Sequence, residues 1–346
     1  MTCALLAGAA ETHAHLGRIS YSDVVVEDET VFYRLKFAAH LIPGTGPTMA
    51  GRLKRHDILR MEPDIERWLS ASVRIRSGDG PCQPEILESA GPDERDNLVI
   101  VLAYDCPAAV ESVRIEFHAF DESIEDFENI VSLEIGGTKV GYVFSPGEPL
   151  LAYGGEADEA GASSFRQFFE LGVEHIWTGY DHLLFLLALL LPGGSVLRLA
   201  GIVTAFTVAH SLTLALAVLG ILSLPSTPVE IAIAASIVYA AATNLRSGAA
   251  DHRIALTFFF GLIHGFGFAG ILQTAGLVEG AVLVPLAAFN IGVEAGQLVV
   301  VVAAVAVLRV IGRAIAPSKI RNGGSWLIIA AGVFWLVERT AAWIAA

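Results

Sequence analysis

Two hydrophobic patterns divide the chain. From Ile19 to about Pro146, apolar and polar positions alternate over short runs such as VVVEDETVFYRLKFAAHLI, ASVRIRSG, DNLVIVLAYDCP, SVRIEFHAF and NIVSLEIGGTKVGYVFSP, which are separated by Gly, Pro, Asp and Asn clusters. Alternation with period two puts every second side chain on one face, so these runs predict short strands, with a turn at Glu27 to Glu29. Helical character is expected only near Asp57 to Ser70, and an all-β, sandwich-like domain is expected over residues 16–146. Gly147 to Ser164, rich in Gly, Ala and Glu, reads as a linker. Beyond it the alternation stops and continuous apolar segments begin, near 169–191, 199–220, 229–245, 254–273, 281–308 and 325–344. Each approaches the about 20 residues needed to cross a hydrocarbon core of about 30 Å. The expected fold is therefore an α-helical integral membrane bundle of about six transmembrane helices over residues 165–346, preceded by an all-β extracytoplasmic domain.

Composition and charge sharpen this division. The 346 residues are 54% hydrophobic with a mean hydropathy of +0.59, high for a soluble globular chain. Up to Ser164 there are 13 Lys and Arg against 28 Asp and Glu, and after it 9 against 8, so the first part carries −15 and the second +1. An acidic first half argues against nucleic acid as a partner, since that partner selects a basic face. A Gly-rich phosphate loop is also absent from the sequence. The run Asp121, Glu122, Glu125, Asp126 and Glu128 reads as a solvated acidic surface.

The basic residues also order the loops. Arg198, then Arg246 and Arg253, then Arg309, Arg313, Lys319 and Arg321 fall on one side of the expected membrane, whereas Ile221–Pro228 and Thr274–Gly280 contain neither Lys nor Arg. By the positive-inside rule the first side is cytoplasmic, which puts the N-terminal domain and the C-terminus outside. Residues 1–15, MTCALLAGAAETHAH, resemble the tail of a secretory signal without its charged start, the alternative being a disordered N-terminus. Cys82 and Cys106 form either a disulfide, which an exported β domain favours, or a pair of buried thiols; they lack the spacing of a zinc site.

Against this background the polar residues of the apolar half stand out. FFELGVEHIWTGYDHLLFLLALLL places Glu174, His175, Asp181 and His182 in or beside a span, where an ionisable group costs roughly 2.5 to 3.5 kcal/mol on insertion scales. On one continuous helix, residues seven apart share a face but are separated by about 10 Å of rise, so His175 and His182 would form two stations rather than one. Counted at 1.5 Å per residue, His210, His264 and Glu294 lie about 15 to 20 Å into their spans, near the midplane. Asn290 and Gln297 are candidate supporting residues, Glu174 a candidate for capturing an ion at the outer edge. Gly261 and Gly265, and Gly292 and Gly296, have the small-xxx-small spacing that lets helices approach, and are expected to bring His264 and Glu294 together.

His175, five residues, then Asp181-His182 resembles the HX5DH motif of the HupE/UreJ membrane proteins, which are encoded with hydrogenase and urease systems and regarded as nickel permeases. AFTVAHSLTLALA, FGLIHGFGFAG and FNIGVEAGQL are similar to the branch of that family with an extracytoplasmic N-terminal domain, and the likeness covers residues 165–346. It implies metal-linked transport with His175, Asp181 and His182 as metal residues, to which depth adds His210, His264 and Glu294. Imidazole with carboxylate suits nickel and other late divalent ions, and no thiolate or Met cluster favours copper(I); the resemblance implies nickel, with zinc as the other candidate. The expected partners are the lipid bilayer, the divalent metal and a ligand of the outer domain. Two other readings remain open: an intramembrane metal-dependent hydrolase using a zinc-activated water, and a non-catalytic sensor or assembly factor.

Overall fold

The computed structural model describes residues 19–43, 54–78, 80–90, 97–120, 127–154, 160–222, 224–246, 252–274 and 283–345. The signal-like residues 1–15, the acidic positions 121–126 and the loops at 247–251 and 275–282 lie outside the described residues. The chain separates into two compact units, one formed by the chain up to Ser164 and the other by residues 165–273 and 283–346.

In the first unit the alternating runs become strands. β1 (Ile19–Glu27) and β2 (Thr30–Ala38) form a hairpin in which Glu27 faces Thr30, and the two-residue turn holds Asp28 at φ 51°. Val31, Tyr33, Leu35 and Phe37 of β2 are buried, as period two requires of one face. One sheet has the order β5 (Gln83–Ala90), β6 (Asn97–Asp105), β2, β1, β8 (Glu128–Ile135), β9 (Thr138–Phe144), with β1 and β8 parallel. The second has the order β10 (Leu150–Tyr153), β7 (Val113–Phe117), β3 (Val73–Ser77), β4 (Gly80–Pro81). Tyr33, Leu35 and Leu102 of the first sheet share a core with Ile75, Ile115 and Phe117 of the second, and Phe117 stacks on Phe144 at 5.3 Å. Between β8 and β9 the turn is Gly136-Gly137, both at positive φ (57° and 77°), which a tight two-residue hairpin demands and glycine supplies without steric cost.

The unit is β-rich rather than all-β. α1 (Arg55–Ser72) runs for 18 residues, and its buried Ile58, Ile65 and Leu69 repeat at helical spacing on the side facing the core. Its Trp68 meets Phe37 at 5.8 Å and Phe120 at 5.7 Å. Residues 147–164, read as a linker, hold β10 and the opening of α2. Cys82 and Cys106 are bonded, tying the chain just before β5 to the end of β6.

The second unit is helical: α2 (Ala160–Thr178), α3 (Tyr180–Leu190), α4 (Val196–Val218), α5 (Ser226–Thr243), α6 (Arg253–Thr274), α7 (Leu283–Ile311) and α8 (Pro317–Ala345). Four stretches are long and apolar enough to cross a membrane: Val196–Val218, Ser226–Thr243, Leu283–Ile311 and Pro317–Ile344. Tyr180–Leu190 and the Arg253–Gly267 part of α6 are shorter apolar stretches, so four full-length candidates stand among the described residues against the expected six. The first expected span, 169–191, is not one helix, because it breaks between Thr178 and Tyr180. Side chains such as Val302 and Val310 of α7 and Leu327 and Phe334 of α8 are exposed, and an apolar surface of this kind is suited to lipid. Inside, Phe185, Leu186 and Leu189 of α3 pack with Ile202, Val203 and Phe206 of α4 and Ile233 and Ile237 of α5. The last carbonyls of α3 find donors in Asn244 Nδ2, 2.7 Å from Ala188 O, and Arg253 Nη1, 2.8 Å from Leu189 O, which anchors that end of the short helix.

Candidate metal centre

The site begins with a glycine. Gly179 has φ −76° and ψ 87°, away from helical values, and it ends α2 and starts α3. A Cβ there would lie 2.7 Å from His175 O and 2.8 Å from His182 Nδ1, so no larger residue fits. The break replaces about 10 Å of helical rise with a fold that sets the His175 and His182 rings 4.6 Å apart. The two-station expectation for this pair is thus corrected: His175 and His182 belong to one group. Broken backbone inside an apolar bundle is tolerated where it lines a polar site, and here the Asp181 carboxylate accepts the His182 backbone N–H at 2.8 Å.

The same carboxylate oxygen sits 3.0 Å from His182 Nδ1. A carboxylate accepts and does not donate, so Nδ1 carries the hydrogen and the lone pair is left on Nε2. That Nε2 is buried, with no hydrogen-bond partner among the described residues. Asp181 therefore stands behind His182 and orients it, the usual arrangement for a metal-binding imidazole. His210, wholly buried in α4, brings its ring to 6.0 Å from His175 and 6.1 Å from His182. Asn290 of α7 donates through Nδ2 to Leu286 O at 2.8 Å, and its Oδ1 is buried with no hydrogen-bond partner among the described residues. One ligand atom from each of His175, His182 and His210 lies within 4.8 Å of the other two.

Phe289 and Phe206 wall the group, at 5.5 Å from His175 and 5.7 Å from His210. His264 of α6 is fully buried next to His182, with ring centroids 5.1 Å apart, and its Nε2 lies 3.0 Å from Ser236 Oγ of α5. It lies outside the group of three. Glu294 is half-buried, accepts a hydrogen bond from Thr204 Oγ1 at 2.8 Å, and is likewise outside that group. Gln297 is buried, accepts from Thr207 Oγ1 at 3.1 Å, and lines a narrow pocket with His182, Phe206 and Thr257. Glu174 is exposed.

The glycine pairs work differently from the sequence expectation. Gly261 and Gly265 lie against the α4 backbone at Phe206 O and His210 O, and Gly292 lies against Phe169 O of α2. Gly172 of α2 in turn touches Phe289 O of α7. Close packing therefore joins the helix of His264 to that of His210, and the helix of Asn290 to that of His175, instead of drawing His264 toward Glu294. Sequence reasoning passed over Gly179 and Ser236. The first had a signal, a glycine directly before Tyr-Asp-His inside an apolar run; the second, in IAIAASIVYA, had none.

Residues 154–339 match the family described as HupE / UreJ protein. No curated protein matches the chain.

Proposed function

Because the chain belongs to the HupE/UreJ family, we propose that this membrane protein is a permease or delivery protein for a divalent metal, nickel first and zinc second. The observation that supports this best is the trio His175, His182 and His210, drawn together by the break at Gly179 and oriented by Asp181. Imidazole nitrogen suits late divalent ions, and oxygen ligands, which would suit magnesium or calcium, are absent from the trio. On this reading Glu174 captures the ion at the outer edge, the trio holds it, and His264 and Glu294 serve the onward path, supported by Asn290 and Gln297. The β-rich unit with its Cys82–Cys106 bridge is extracytoplasmic, exported by a signal within residues 1–15, and binds an extracytoplasmic partner; the C-terminus is on the same side.

Nickel flux into proteoliposomes carrying the purified full chain tests the reading. His175→Ala and His182→Ala should reduce flux to background at parental membrane levels, while His252→Ala, on an exposed residue, should not change it. Zinc held tightly without flux would support the hydrolase reading, for which three imidazoles and an open fourth position also suffice. No metal and no flux would leave a sensor or assembly factor. For orientation, reporter fusions after Gly248 and Asn322 should report the cytoplasm and one after Ser226 the exterior; the reverse pattern would overturn the topology.

A further inference from the structure

Ser236 lies in the middle of α5 and is buried. Its single hydroxyl hydrogen has two candidates, Ile233 O at 2.6 Å and His264 Nε2 at 3.0 Å. A backbone carbonyl only accepts, and the shorter contact is to it, so the hydrogen goes to Ile233 and the serine oxygen accepts from the ring. His264 Nε2 must then carry a hydrogen, and a neutral imidazole protonated there keeps its lone pair on Nδ1. Nδ1 is buried, with no hydrogen-bond partner among the described residues. The rings around His264 are His182 at 5.1 Å, Phe185 at 5.0 Å and Phe206 at 5.3 Å. Of these only His182 offers a ligand atom, and its Nε2 is also a buried lone pair without a partner.

We infer that Ser236 is a positioning residue that holds His264 in the Nε2–H tautomer, making its Nδ1 a ligand for a late divalent cation shared with His182 Nε2. The inference rests on the reading of the helical unit as a metal carrier and extends it. Asp181 and Ser236 act in parallel, one fixing Nδ1–H on His182 and the other Nε2–H on His264, so that the two neighbouring rings present different nitrogens to one ion. His182 then belongs both to the trio with His175 and His210 and to the pair with His264. An ion can move between the two by exchanging ligands around a single retained imidazole.

Two measurements on the full-length protein in detergent micelles test this. Nitrogen-15 NMR of histidine-labelled, metal-free protein, with the His264 signals identified by their loss in His264→Ala, should show an unprotonated Nδ1 and a protonated Nε2; Ser236→Ala should convert them to an exchanging mixture. Titration with Ni²⁺ alone and with Zn²⁺ alone should give Ser236→Ala a Kd raised roughly 10-fold or more, with Ser236→Thr returning it to within about threefold of the parent. A protonated Nδ1 in the parent overturns the inference directly, even if the Ser236 variants fail to insert. Unchanged affinity in Ser236→Ala beside a clear loss in His264→Ala overturns it while leaving the metal carrier standing. Parental binding in both His182→Ala and His264→Ala removes the carrier and the inference with it.

Discussion

Buried polar side chains in the sheet unit pair with one another: Ser22 donates to Tyr33 at 2.7 Å, Asn129 to Ser20 at 2.6 Å, and the Tyr104 hydroxyl to Val73 O at 3.1 Å. Two buried imidazoles in the helical unit turn one nitrogen to a partner, His182 to Asp181 and His264 to Ser236, and leave the other without a hydrogen-bond partner among the described residues, while both nitrogens of the buried His210 are without one. The sheet unit has isolated exceptions at Ser77 Oγ and Asn129 Oδ1, whereas in the helical unit the partnerless nitrogens of His182, His210 and His264 belong to rings that neighbour one another through His182. A buried acceptor without a partner costs about 1–3 kcal/mol, so several in one place are a lasting expense unless a ligand completes them. Polar groups in the first unit specify architecture; on the proposed reading, those in the second await an ion.

The contrast is broken most severely by straightening the helix. Gly179→Ala puts a Cβ into His175 O and His182 Nδ1, and it should cut nickel flux by about 10- to 100-fold, the range seen when the support of a metal ligand is lost. Circular dichroism and membrane levels close to the parent's would show that the fold persists. Flux like the parent's would mean that the break is incidental to the site. A milder change is Asp181→Asn, which keeps the shape behind His182 but replaces the charged acceptor; nickel affinity measured by titration should fall about 10-fold. An unchanged affinity would reduce Asp181 to a helix-capping role.

On the other side of the comparison, opening the Cys82–Cys106 bridge should weaken only architecture. The bond joins residues 24 apart in sequence. A loop of that size accounts for about 3 kcal/mol in the chain-entropy model. Limited proteolysis of the Cys82→Ala/Cys106→Ala protein should therefore cut the sheet unit faster while nickel flux stays at the parental rate. Loss of flux with intact helices would show that the two units are coupled.

The smallest effect concerns Asp23 on β1. Burial pushes its carboxyl above the ordinary carboxylate range, against the lowering effect of Arg34, which faces it across the hairpin, and of Lys139. The folded state thus binds this proton more tightly than the unfolded chain does. Its contribution to stability is present below the ordinary carboxylate value and lost as pH rises through the higher folded value. Melting of the protein across that acidic window should lose part of its downward slope with rising pH in Asp23→Asn, so that the variant gains on the parent toward neutral pH. A slope identical to the parent's would mean that Asp23 is hydrated in the folded protein.

Several elements were legible because their cause is local. The turn at Glu27–Glu29 and the strand runs follow from backbone preferences and period two. The spans at α4, α5, α7 and α8 follow from length and hydropathy. The short β4, β5 with its Pro84 and mixed polarity, and β10 inside a Gly-rich segment were hidden because pairing with neighbours, not their own pattern, makes them strands. Helical spacing in residues 57–70 was visible, but the extent of α1 depended on its burial against the sheet.

Sequence by itself determined that His175, Asp181 and His182 share one apolar segment, that His210 and His264 lie at similar depth, and that the chain carries two units of opposite character, since composition and rise per residue are properties of the chain alone. Tertiary structure alone decided that one break at Gly179 turns a 10 Å separation into adjacent rings, that glycines bring the helix of His210 against that of His264, and that Ser236, one small residue among alanines, meets a histidine 28 positions away. A helical period says which residues share a face of one helix. Which nitrogen points where is settled by the hydrogen bonds that other helices bring to it.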